Sequence, residues 1–148
     1  MKKRIFINIH YLEIGGAERA LLGLLASLDP QKVDVDLFVN QHTGEFMKLI
    51  PSYVNLLPEI PEYTCIERPI KDIVKELHIG IALRRLWAKH KHQKYLNTLS
   101  AEKRKNDSSI FQYVSNAVES VLPSLYDNGE YDLAISFLQP HNIVLNKV

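Results

Sequence analysis

Apolar residues change their spacing along this chain several times, and each change marks an element. Ile5, Phe6, Ile7 and Ile9 form a short, nearly continuous apolar run, as expected of a parallel strand covered on both faces. After a loop over residues 11–16, Ala17, Leu21, Leu24, Leu25 and Leu28 recur at helical spacing until Asp29-Pro30 stops the helix. Val33, Val35, Leu37 and Val39 then alternate with Asp34, Asp36 and Phe38, a period of two that predicts a second strand. A short helix over residues 45–50, ended by Pro51, and a short third strand over residues 54–57, closed by Pro58 and Pro61, complete the first half.

Residues 69–105 read as helical, with Ile70, Ile73, Val74, Leu77 and Ile81 at steps of three and four and a break expected at Gly80. Leu83, Leu86 and Trp87 add a second apolar face, and the polar stretch 100–109 reads as a loop. Ile110, Val114, Ala117, Val118, Val121, Leu122 and Leu125 predict a further amphipathic helix, and Asp127-Asn128-Gly129 supplies a turn. Residues 131–138, apolar apart from Asp132 and Ser136, predict a fourth strand. Strands alternating with helices indicate an α/β fold, a Rossmann-like parallel sheet with helices on both faces and strand 1 between strands 2 and 4. The expectation is one partial domain over residues 1–148, stopping where the next crossover helix would begin, with the outer edge of strand 4 open to self-association.

Composition narrows the function classes. The formal net charge of +1 gives no reason to expect nucleic acid as a partner. The charge is uneven, since residues 84–105 hold eight Lys and Arg against the single Glu102. Cys65 is the only cysteine, which excludes an intrachain disulfide and a Cys-based zinc site and suits a reducing cytoplasm. Met1-Lys2-Lys3-Arg4 looks like the start of a signal peptide, but Asn8 and His10 interrupt the apolar stretch that follows. No window approaches the roughly 18 to 20 apolar residues of a transmembrane helix.

The most informative stretch is Leu12-Glu13-Ile14-Gly15-Gly16-Ala17-Glu18-Arg19, between strand 1 and the first helix. Ligands of open α/β sheets bind beyond the carboxyl ends of the strands, and glycines there let the backbone approach an anion held by a helix N-terminus. Phosphate binding is one reading. The other is that Gly15-Gly16 only makes the turn and caps the helix, and the spacing alone leaves both open. The Walker pattern is excluded because no Lys-Ser/Thr follows the glycines, and the dinucleotide fingerprint because its third glycine is missing. Val39-Asn40-Gln41 at the end of strand 2 offers no acidic residue for a ribose, which argues against an NAD enzyme.

Strand 1, the Gly15-Gly16-Ala17-Glu18-Arg19 turn and the leucine-rich helix after it resemble the N-terminal opening of family 4 glycosyltransferases, and Tyr131-Asp132-Leu133-Ala134-Ile135-Ser136 resembles a later strand of the same domain. The middle of the chain matches only in general layout. The resemblance implies the acceptor-side domain of a retaining GT-B enzyme of cell-surface polysaccharide type, moving a sugar from a nucleotide-sugar to a glycan or lipid-linked acceptor without a metal or other cofactor. It implies a separate C-terminal donor domain, absent here, so no catalytic residue is transferred and the chain alone is expected to be inactive. Gly15 and Gly16 take the donor-diphosphate role, with Arg19 beside them. The alternative function is a non-catalytic α/β domain that binds a phosphate-containing ligand or only assembles with a partner.

Further candidates cluster by position. His10 ends strand 1 while Gln139 and His141 follow strand 4, so all three belong to the expected cleft and acceptor edge. Asp34-Val35-Asp36 imitates a metal-binding Asp-x-Asp, but it lies at the start of strand 2, away from that edge, and reads as two solvated aspartates; no metal is expected. His90-Lys91-His92 does not converge on a helix, because residues two apart point in different directions. Arg84, Arg85, Trp87, Lys89, Lys91 and Lys94 are candidates for contact with an anionic membrane surface, which would make a cytoplasmic protein peripheral on the inner membrane face; a plain exposed helix is the competing reading.

Overall fold

The computed structural model describes residues 1–125, 130–137 and 143–148. The Asp127-Asn128-Gly129 turn, Leu138, and the candidates Gln139 and His141 lie outside the described residues. The chain divides into two compact units, Met1–Ile60 with Ser124–Val148, and Pro61–Pro123.

The first unit is α/β. Strands β1 (Lys3–Ile9), β2 (Val33–Val39), β3 (Asn55–Leu56) and β4 (Leu133–Ser136) form a parallel sheet in the order β3-β2-β1-β4, so strand 1 lies between strands 2 and 4 as expected. Helix α1 (Gly16–Ser27) provides the crossover from β1 to β2, and a 3₁₀ turn (Glu45–Leu49) follows β2. Parallel strands joined by crossovers are covered on both faces. Accordingly β2 is buried continuously from Val35 to Val39, although its sequence alternates. One sheet face carries Ile5, Ile7, Ile9, Val35, Leu37 and Val39, packed in one cluster with Leu12 of the following loop and Leu21 and Leu25 of α1. The other carries Phe6 stacked on Phe38 at 6.4 Å and tilted against Tyr131 at 5.4 Å.

The second unit is helical: α2 (Pro61–Thr64), α3 (Ile70–Lys75), α4 (Ile79–Leu96), α5 (Ala101–Lys105) and α6 (Ile110–Val118). Ala88 of α4 packs with Val114 and Ala117 of α6. The break expected at Gly80 falls instead at Leu77, the one described non-glycine residue with positive φ, at 66°. His78 N donates to Ile73 O at 3.0 Å and Leu77 N to Val74 O at 3.1 Å, the paired bonds of a Schellman cap. Leu77 therefore closes α3 where glycine is usual, and Gly80 lies inside the first turn of α4. The expected loop over 100–109 contains α5, with Glu102 in its first turn and Lys103, Arg104 and Lys105 in its last, an order that complements the helix dipole.

Candidate functional site

The carboxyl ends of β1 and β2 bring together the polar residues of the expected cleft edge. Their base is a pair of loops joined by backbone hydrogen bonds. Leu12, fully buried, donates its N–H to Thr43 O (3.0 Å) and accepts from Phe46 N (2.9 Å), lacing the loop after β1 to the loop after β2. That lacing depends on Gly44, whose φ of 108° and close approach to the Leu12 carbonyl exclude any side chain. Sequence reasoning had passed over Gly44; its place between two loops that have no sequence proximity is visible only in three dimensions.

On this base the glycine turn leads into α1. Gly15 is the N-cap in extended backbone (φ −150°, ψ 171°), a conformation open to any residue, and it has no side chain with which to cap the helix. An added Cβ at Gly15 would meet the carboxylate of Glu18, which folds back over the turn and is buried. Gly16 differs. An added Cβ there would meet no atom within 4 Å, and its φ is not positive. Neither backbone strain nor crowding among the described residues therefore requires glycine at position 16. Arg19, one turn further, is exposed and rests its guanidinium over the Phe46 ring at 5.9 Å.

His10, half-buried at the end of the strand, belongs to a network that the sequence did not announce. Asn8 Nδ2, fully buried, donates to Phe38 O (2.9 Å) and to Asn40 Oδ1 (2.8 Å). With its oxygen so engaged, Asn40 turns Nδ2 towards His10 Nδ1 at 3.3 Å. In the neutral imidazole Nδ1 is then the acceptor, which leaves the proton on Nε2. Two more polar atoms are buried without a described partner near these strand ends: His42 Nε2, in the loop after β2, and Ser136 Oγ, in β4 opposite Asn8. Inward-facing Asn and Ser within apolar strands are the signal that would have found them, since buried polar groups are otherwise paired.

The opposite, amino end of the sheet is closed by charge pairing. Asp36, expected to be solvated, is buried: its carboxylate accepts from Arg4 (2.9 Å), Asn55 Nδ2 (2.6 Å) and the Tyr131 hydroxyl (2.7 Å). One carboxylate thus ties β1, β2, β3 and the residue leading into β4. Burial, and then the bond to Asp36, push the Tyr131 hydroxyl far above its usual range, so it stays protonated and donates. Asp34 is exposed and pairs with Lys2 at 2.9 Å. The two aspartates have separate basic partners, and no group of three His, Cys, Asp or Glu able to hold a metal is found among the described residues. A cleft of about 510 Å³ here, lined by Met1, Lys2, Arg4, Asp34, Glu130, Tyr131 and Asp132, lies far from the glycine turn.

The basic candidates separate in α4. Trp87, Lys89, Lys91 and Lys94 are exposed. Arg85 is not part of a surface: it is 7 % exposed and donates to Cys65 O (2.7 Å) and to Arg68 O. Its place on the inward side of α4 makes it a cap for the carbonyls after α2. Arg84 is exposed and donates to Ala117 O at 3.1 Å. His92 pairs with Asp107, 2.7 Å away. Burial pushes the Cys65 thiol up, away from reactivity.

Among the described residues no helix is long and apolar enough to cross a membrane. No protein-family model matches the chain, and no curated protein or solved structure matches it.

Proposed function

We propose that the α/β unit is the acceptor-side part of a retaining, metal-independent glycosyltransferase that uses a nucleotide-sugar donor and a glycan or lipid-linked acceptor. The observation that carries this reading is Gly16. It is a glycine at the start of α1, at the carboxyl end of β1, with no described atom within 4 Å of where its side chain would be and no positive φ. A diphosphate pressed against the first-turn amides would call for glycine there. Gly15 and Gly16 then present backbone N–H groups to the donor phosphates, and Arg19 swings from Phe46 to add a charge-assisted contact. His10, with Nε2–H as donor, faces the acceptor side. In this reading a second domain supplies the other wall of the cleft and most of the donor contacts.

A second reading, a non-catalytic domain in which the turn only caps α1, is favoured by the Glu18 carboxylate folded back over Gly15. The two separate by titration of the ¹⁵N-labelled chain with nucleotide sugars. The glycosyltransferase reading expects amide shifts confined to residues 15–19 and the ends of β1 and β2, tighter binding for Glu18→Gln, and loss of the shifts in Gly16→Val with an unchanged melting temperature. Absence of shifts at residues 15–19, or equal loss of stability and binding in Gly16→Val, leaves the capping reading.

A further inference from the structure

We propose that the outward face of α4 is a contact surface for an anionic lipid bilayer. A surface helix ordinarily turns its large apolar residues inward. In α4 the buried side holds Ile81, Ala82, Ala88 and the Arg85 guanidinium, while Ile79, Leu83, Leu86 and Trp87 are exposed, Leu83 at 61 %. These four lie along the outer side of the first half of the helix. Lys89, Lys91 and Lys94 continue the exposed surface through the second half. The Lys91 ammonium stands 3.9 Å from the centre of the Trp87 ring, so cation and aromatic already meet at the junction.

Charge selects the occupant. The helix contains no acidic residue, so a second copy of it offers these lysines no counter-charge. An anionic bilayer offers both parts at once: headgroups for ammonium groups on long apolar stems, and an interfacial layer in which a tryptophan ring is favourably placed. A bilayer also accepts apolar and cationic positions in succession along one helix, whereas a protein groove selects a continuous apolar stripe. The surface lies wholly within Pro61–Pro123 and is independent of the glycosyl-transfer reading.

Trp87 is the only tryptophan of the chain, so its fluorescence reports on this surface directly. The full chain is mixed with phosphatidylcholine vesicles, with or without phosphatidylglycerol, and followed by flotation and emission. Expected are flotation and a blue shift with phosphatidylglycerol only, both reversed as salt shortens the Debye length from about 10 Å to about 3 Å. Replacing Lys89, Lys91 and Lys94 by Glu should weaken partitioning by about a hundredfold or more, at about fivefold for each cation removed. Leu83→Ser should also weaken it, and circular dichroism should show every variant folded. Lys32→Glu with Lys48→Glu, exposed lysines of the other unit, should leave partitioning nearly unchanged. Equal binding to neutral vesicles, flotation without a shift of Trp87, no effect of Leu83→Ser, or an equal loss in the Lys32/Lys48 variant overturns the proposal. An identical blue shift with soluble polyglutamate reassigns the surface to an acidic protein and overturns it as well.

Discussion

Replacing Asp36 by Asn keeps the shape of the side chain that joins the four strands and removes its charge. The Oδ2 atom accepts from Arg4 and Tyr131, and Oδ1 accepts from Asn55. The least costly arrangement of the new amide keeps its oxygen towards Arg4 and Tyr131 and turns its NH₂ towards exposed Asn55, which can rotate away. One ion pair becomes a weaker hydrogen bond and one further bond is lost. Hydrogen bonds to charged groups contribute about 1.5–3 kcal/mol, and breaking a fully buried pair costs about 3–5 kcal/mol. Here the Asp36 side chain is 12 % exposed but that of Arg4 is 37 %, so water recovers part of the loss. A destabilisation of about 2 kcal/mol follows. With a urea slope of about 1–3 kcal/mol/M, the midpoint should fall by about 1 M. Asp34→Asn is the matched control: its pair with Lys2 is exposed on both sides, and its effect should stay within about 0.5 kcal/mol. Equal midpoints for the two variants would refute the role given to Asp36.

Gly44→Ala should destabilise by about 3 kcal/mol, because φ of 108° is nearly restricted to glycine and the methyl meets the Leu12 backbone; a urea midpoint within error of the parent would contradict this. Leu77→Gly should stabilise by about 1 kcal/mol by relieving the left-handed conformation of an exposed leucine, and a lower melting temperature would count against the cap. Acid stability should depend on Asp107, whose carboxyl is held below the usual carboxylate range by His92 and then by the Ser109 N–H and hydroxyl. A depressed folded-state pKa gives stability that is present above the unfolded value of about 3.9 and lost as pH falls through the folded value. The deficit of Asp107→Asn in urea midpoint should therefore be largest near neutrality and shrink in acid, and a deficit constant with pH would exclude this linkage.

What could be read from the sequence follows the range of the interactions involved. The elements β1, α1 and β2 were legible because apolar spacing and the Asp29-Pro30 stop act over a few residues. The turn at Gly15-Gly16 was legible for the same reason, and it lies at the carboxyl end of β1 as expected. Asp36 was misread because its three partners come from 19, 32 and 95 residues away, so local alternation presented it as one more solvated position. Arg85 was misread because α4 has apolar residues on both sides and its sequence does not say which side turns inward. The break before α4 was assigned to Gly80 on propensity, while backbone bonds from Leu77 and His78 to α3 decided the actual stop.

The parallel sheet gives its two ends different tasks, and this makes the functional reading open to test without confusion with folding. All four strands run in one direction, so every amino end lies on one side and every carboxyl end on the other. At the amino end, Lys2, Lys3 and Arg4 are matched with Asp34, Asp132 and Asp36, and the buried member, Asp36, ties the strands together. At the carboxyl end Asn8 fixes Asn40, Asn40 meets His10, and the glycine turn leads into the start of α1. Substitutions at positions this far apart are expected to add independently. Asp36→Asn at the amino end should move the unfolding midpoint and leave the shifts at residues 15–19 intact. Gly16→Ala should do the reverse, raising helix stability slightly while obstructing whatever approaches the first-turn amides. A ligand at the carboxyl edge predicts those opposite signs for stability and binding, whereas a turn that only caps the helix predicts no shifts at residues 15–19, or a loss of binding that only accompanies a loss of stability.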